Sequence, residues 1–278
     1  MSNPLNISHL TGLRISGTDA IVFCQSQLTT DFRQLRPEQW QICAWCDPKG
    51  RCLAVILACR DEDHVDLVIP RSQLPLLEKL KLFAIGHKVE FSAPMTVIGD
   101  LDPDEASDIS RLPDGRGLSL SVQASDEVAA DILNWRIADL CLPVPWLNNH
   151  CSGQHLPQFL GLEDNGGLSY QKGCFPGQEV IARLHYLGKI KYRLAGFMLK
   201  GAGDLAEIDS GRLTIRGHDQ GAQILQSVRA GQDLIGLAVC PADLPVPVDI
   251  DWPDANRPLS GQMTEPKRLC YYRDNHDN

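Results

Sequence analysis

The chain has 278 residues, 43% of them hydrophobic and 22% charged, enough to bury a real core in one large domain or two to three small ones. It has no run of about 18 apolar residues and no basic stretch followed by an apolar one at its N-terminus, which predicts a cytoplasmic protein with neither membrane span nor secretory signal. The net charge of −9 excludes bulk attraction to nucleic acid or anionic lipid, and the ten cysteines of a cytoplasmic chain are read as reduced thiols.

In chain order, residues 7–23 read as a strand, a Gly-Thr-Asp turn and the start of a helix. Thr18 or Asp19 is the expected side-chain cap, and the helix carries AIVFCQSQLTTDF. The stretch WQICAWCDPKGRCLAVILACR has apolar runs on either side of Asp47-Pro48-Lys49-Gly50, a turn in which Pro presets one φ and Gly accepts a positive one. It predicts a β-hairpin. HVDLVIP at 64–70 alternates as a strand, leucines at helical spacing follow, and HKVEFSAPMTVIGD is strand again. That order suggests a split βαβ layer. Residues 99–117 are acidic, with Pro and Gly, and predict a surface loop. DEVAADILNWRIADL is an amphipathic helix behind an Asp or Ser cap, stopped by the prolines of CLPVPW. From about 195 the texture becomes short strands broken by Gly and Asp, as in a small antiparallel barrel or sandwich, and the tail at 271–278 is expected to fray.

Four cysteines, Cys43, Cys46, Cys52 and Cys59, raise the question of a zinc or redox site. Cys43 and Cys46 differ in parity and face opposite sides of a strand, and the turn sets Cys52 opposite Trp45. The sulfurs are not expected to converge, and packed apolar thiols are the favoured reading. His150 and His155 lie in a loop without partners at ligand spacing and are read as exposed.

The densest cluster of special residues is Lys172-Gly173-Cys174-Phe175-Pro176-Gly177-Gln178-Glu179. Gly173 and Gly177 permit tight turns or close approach, and GQEVIARL looks like a helix start. A thiol at Cys174 near the Lys172 ammonium and a helix N-terminus would favour its thiolate; the plainer alternative is a glycine-rich turn with an incidental cysteine. Arg183, His185, Lys189, Lys191 and Arg193 would share one face of a strand, as a cationic stripe or simply a solvated face.

KGCFPGQEVIAR resembles the signature of the YgfZ family, folate-binding proteins related to the T-protein (aminomethyltransferase) of the glycine cleavage system. The resemblance extends through ISGTDAIVFCQSQLTTD, AWCDPKGRCLAVI, WRIADLCLPVPW, LPQFLGL and HYLGKIKYR, in the family's order. It implies an α+β fold, T-protein-like. A split α+β domain with a ferredoxin-like insertion (about 60–125) surrounds a central cavity within 1–195, and an antiparallel β-barrel occupies 196–270. It implies tetrahydrofolate or another reduced folate in that cavity, iron–sulfur client or assembly proteins as partners, and a link to tRNA modification that is indirect. An accessory factor is implied rather than a turnover enzyme, with a folate-dependent one-carbon transferase as the alternative and Asp31 or Asp139 as its only candidate acids. Carried over by position, Cys174 and Lys172 are the working residues, with Gln178 and Glu179 in the same motif. Gln27, Thr29, Asp31 and Arg51 sit in motifs that face the cavity, and Arg183, Lys189 and Lys191 could meet a folate glutamate tail. The chain departs from the pattern at Ser26, Cys141, Pro143, Gly161 and Tyr192. Cys141 stands where T-proteins carry an acid that holds the pterin.

Overall fold

Two sheets and a barrel share one apolar layer in the computed structural model, which describes residues 4–105, 107, 109–122, 129–203, 205–253 and 258–274. The strands are β1 (Leu5–Asn6), β2 (Leu10–Ser16), β3 (Trp40–Cys46), β4 (Cys52–Arg60), β5 (His64–Pro70), β6 (Glu90–Phe91), β7 (Thr96–Asp100) and β8 (Gly117–Ser121). The barrel strands are β9 (Tyr192–Leu199), β10 (Arg212–Ile215), β11 (Ala222–Ala230), β12 (Asp233–Pro241), β13 (Val248–Trp252) and β14 (Leu259–Thr264). The helices are α1 (Ala20–Gln27), α2 (Leu74–Lys81), α3 (Ala129–Cys141), α4 (Gln178–Leu187) and α5 (Cys270–Asp274).

The first sheet runs β3-β4-β5-β2-β6. Both β5 and β6 are antiparallel to β2, which lies between them, so they are parallel to each other and joined through α2. This is the split βαβ layer expected from the sequence. The stretch read as one strand at 87–100 divides between β6 in this sheet and β7 in a second, β1-β7-β8.

Alternation along β4 shows why its sequence is apolar at almost every position. Ala54, Ile56 and Ala58 pack on one face with α1 and α2, around Phe23, Leu77 and Leu80. Val55, Leu57 and Cys59 pack on the other with Trp135 of α3 and residues of the barrel wall. A sheet covered on both sides has no polar face to show. The barrel is closed, in the order β10-β11-β12-β9-β14-β13. Along β12, Leu234, Ala238 and Cys240 fill its interior, while Ile235, Leu237 and Val239 join the shared core outside.

Other expectations are corrected. Neither Thr18 nor Asp19 caps α1 through its side chain; Asp19 instead accepts the Lys88 amide at 2.8 Å. The helix stops at Gln27, because Leu28 leaves it to bridge Trp45. The cap expected for α3 lies outside the described residues. The tail at 271–274 is helical, and Tyr272 donates to Asp233 at 2.7 Å. Arg116, in the stretch read as surface loop, is buried against Trp135. His155 is buried, not exposed. A bulge at the hairpin pairs Cys46, not Trp45, with Cys52, and their sulfurs come within 3.9 Å. The other expectation for these cysteines holds: Cys43 faces the helices and Cys46 the shared core.

Candidate functional site

The segment 166–178 reaches the signature loop along a narrow clamp. Thr29 is fully buried; its hydroxyl donates to Gly167 O at 2.6 Å and accepts from the Ala44 amide at 2.8 Å. Ser169 N donates to Thr29 O at 3.0 Å. Lys172 is buried as well, and its ammonium donates to the carbonyls of Leu28 and Thr30, the latter at 2.7 Å. The Phe175 ring, also buried, lies 5.1 Å from the same nitrogen. Burial pulls the Lys172 pKa down to about 8, against the opposing influence of Cys43, Asp31 and Cys24 nearby.

Lys172 therefore does not serve Cys174 as the sequence suggested. Its charge is committed inward, to two carbonyls, whereas Cys174 is exposed. The other nine cysteines are buried or half-buried. Four residues beyond the thiol, α4 begins, with Gln178 half-buried and Glu179 exposed in its first turn, where a carboxylate complements the helix dipole.

Gly177 explains how the loop is pinned. It has φ +80, and a Cβ there would lie 2.3 Å from Gly50 Cα and 2.6 Å from Asp47 O. The hairpin turn thus rests directly on the entry to α4. Gly177→Ala must place a side chain into backbone in a left-handed conformation that alone costs about 1–2 kcal/mol, so a loss of stability above that value is expected. Gly173, also expected to shape the loop, has a negative or extended φ and nothing within 4 Å of its Cβ position. Urea unfolding of Gly173→Ala should be close to wild type; equal losses for both variants would refute this reading of the loop.

The residues singled out by sequence do not gather in one cavity. Asp31 joins the clamp: its carboxylate accepts from Gln25 at 2.9 Å and from Arg33 at 3.2 Å, and it faces a 420 Å³ cleft walled by Tyr170, His185 and Tyr186. Burial opposes that charge, but the bonds from Arg33 and Gln25 outweigh it and hold the pKa below the ordinary value. Arg51 lines a different cavity, with Arg212 and His155. Gln27 ends α1, with its amide 3.3 Å from Ser26 Oγ. Arg183 and Lys189 are exposed, one on α4 and one after it, so the expected single-strand cationic stripe does not form. His185 turns to Glu163 at 2.8 Å and stacks on Tyr170.

The cavity between the modules is lined by Asp139, named from the sequence as a candidate acid, and otherwise by residues to which the sequence reading gave no role. His9, Pro70 and Ser72 come from the first sheet's end, Arg136 and Asp139 from α3, and Leu225, Gln226 and Val228 from β11, with Trp146, Leu147, Asn148 and Asp209 completing it. Its volume is 310 Å³. Asp139 is buried; one oxygen accepts from Arg116 at 2.9 Å, the other from Trp146 Nε1 at 2.9 Å. Asp139, two residues before Cys141 on α3, is the acid this helix brings to the cavity wall, and Arg116 and Trp146 hold it there. Its place on the buried face of an amphipathic helix, four residues after Trp135, agrees with its naming as a candidate acid from the sequence.

This is the fold of an aminomethyltransferase. The chain superposes on the glycine cleavage system aminomethyltransferase T of Bartonella henselae with a TM-score of 0.68, covering 96% of this chain and 86% of that one at 14% identity. In sequence it resembles the YgfZ proteins over most of its length. It is 28% identical to the tRNA-modifying protein YgfZ of Edwardsiella ictaluri, over 84% of this chain and 82% of that protein. It is 27% identical to that of Escherichia coli strain S88, over 68% of each. No family model matches the chain. No helix among the described residues is long and apolar enough to cross a membrane.

Proposed function

We propose that this protein binds a reduced folate between its modules and supports the assembly or repair of iron–sulfur clusters in client enzymes, tRNA-modifying ones included, through the thiol of Cys174. The observation that carries the reading is the signature loop itself. Lys172, Phe175 and Gly177 fasten it from beneath, and the thiol is left outside as the chain's one exposed cysteine. Beside it α4 exposes Val180, Tyr186 and Leu187, apolar surface of the kind a protein partner covers. The likeness to YgfZ proteins supports the link to tRNA modification, and the charge of −9 makes that link indirect.

The groups lining the cavity between the modules fit a pterin. Trp146, Leu147, Leu225 and Val228 offer an apolar wall, and Gln226, whose amide nitrogen donates to Val144 O at 2.8 Å, offers its carbonyl oxygen to the ring's polar edge; Arg136, paired with Glu207 at 2.7 Å, and Asn148, bonded to Leu225 O at 3.1 Å, frame the space rather than reach into it. At 310 Å³ the space lies at the lower end of the roughly 300–1,000 Å³ usual for ligand sites. A bound reduced folate would supply one-carbon units or reducing equivalents. The engaged carboxylate of Asp139 favours binding over the alternative of one-carbon transfer. Both its oxygens are already held, by Arg116 and Trp146, which leaves it poorly placed to exchange protons with a substrate.

Calorimetric titration of tetrahydrofolate tests the reading. Saturable binding is expected, weakened about tenfold in Gln226→Met, which keeps the side-chain volume and removes the amide together with its bond to Val144 O; an unchanged thermal midpoint verifies that the variant folds. Absence of binding to the wild-type protein would refute the folate site.

A further inference from the structure

We propose that the cleft between the 47–51 turn and the barrel is a second, separate binding site, selective for a small ligand bearing carboxylate or phosphate groups. The cleft encloses 330 Å³ and shares no lining residue with the cavity between the modules. Two guanidiniums converge on it, Arg51 from the hairpin turn and Arg212 from the start of β10. Among the described residues, each guanidinium makes one hydrogen bond, to a backbone carbonyl: Arg51 to Gly153 O at 3.4 Å and Arg212 to Gly221 O at 3.2 Å. Among the described residues, neither has a carboxylate partner, although acids outnumber bases in this chain by 35 to 26.

The walls show that the place is built rather than accidental. Gln154 and Gln223 bond to each other at 2.8 Å across it, and Phe159 meets Tyr192 edge to face at its floor. His155 is 8% exposed; Gln223 is the side chain that interacts with its ring, and its buried Nε2 makes no well-aligned hydrogen bond. A buried polar atom left unpaired is costly, and such atoms in a cavity wall mark where a ligand or water completes the set. Two planar, always-charged forks beside amides are the donor set that recognises carboxylate and phosphate oxygens in pairs. The site also borders the working loop. Arg51 follows Gly50, and Gly50 is the residue against which Gly177 packs.

Inorganic phosphate and a γ-linked triglutamate, each without folate, would be titrated separately into the full chain at low ionic strength. Saturable binding of at least one, with Kd below about 1 mM, is expected. The tighter of the two identifies whether the natural ligand carries phosphate or a string of carboxylates. Arg212→Gln and Arg51→Gln should each weaken it roughly tenfold, while Lys200→Gln, on another face of the barrel, should not. Both arginines are exposed, and unchanged thermal midpoints would verify that the variants fold. Binding of neither probe, or equal weakening by Lys200→Gln, overturns the proposal. Because no folate is present, either result is independent of the folate titration.

Discussion

Cys174→Ala is expected to abolish support of iron–sulfur enzymes while leaving stability and folate affinity unchanged. The side chain is exposed, so its truncation should change stability by no more than about 0.5 kcal/mol. The loop's position is set by neighbours that the substitution does not touch: the Lys172 bonds to Leu28 and Thr30, the buried Phe175 ring, and the Gly177–Gly50 contact. What disappears is one exposed thiol on a fixed platform, the group on which the proposed role rests. Cys174→Ser retains shape but not thiolate chemistry and should fail equally. Cys270→Ala removes a half-buried thiol elsewhere and should retain function. The measurement is the activity of an iron–sulfur enzyme in cells lacking the protein and supplied with each variant. Full restoration by Cys174→Ala would remove the thiol from the mechanism. Loss with Ala but restoration by Ser would replace sulfur chemistry with a hydrogen-bonding role.

The same loop shows how far sequence carries. Its two glycines look alike in the chain, yet only Gly177 sits at positive φ against another backbone. Nothing in the local sequence tells them apart, because the partner, Gly50, is 127 positions away and belongs to a different element. Strands and hairpins were legible where local patterns decide them. The split βαβ layer follows from alternation and leucine spacing, and the 47–50 turn follows from Pro and Gly. Features set by long-range contact were not. Arg116 lies in an acidic, glycine-flanked stretch that looks solvated; its neighbour Asp114 pairs with it at 2.7 Å, and Asp139 and Trp135, brought across from α3, enclose it as a buried charge. The bulge that brings Cys46 to Cys52 is likewise a product of sheet geometry, invisible to a parity count. For the site, the signature residues were found by resemblance, but the inter-module cavity is lined by side chains from five separate segments that share no motif.

Lys172→Met provides the other large effect, and its size should depend on pH. In the folded protein the ammonium is buried and its pKa is about 8; in the unfolded chain it returns to about 10.4. Between these values the unfolded state holds a proton that the folded state has shed, so this group makes stability rise with pH. Below pH 8 both states are protonated and the contribution is flat. A difference of two to three pKa units corresponds to about 3 kcal/mol. The wild-type curve alone cannot isolate the lysine, because burial raises the pKa of thiols such as Cys24 and Cys43, and raised acids lose stability above pH 9. The variant keeps those thiols and lacks only the lysine. At pH 7 it loses two hydrogen bonds to buried carbonyls but is relieved of a buried charge, and a deficit of about 1 kcal/mol is expected. By pH 10 the deficit should widen by roughly 2–3 kcal/mol, read from urea unfolding of both proteins at each pH. A gap that stays constant would show that Lys172 titrates alike in both states, and the clamp beneath the loop would then rest on hydrogen bonding without a strained charge.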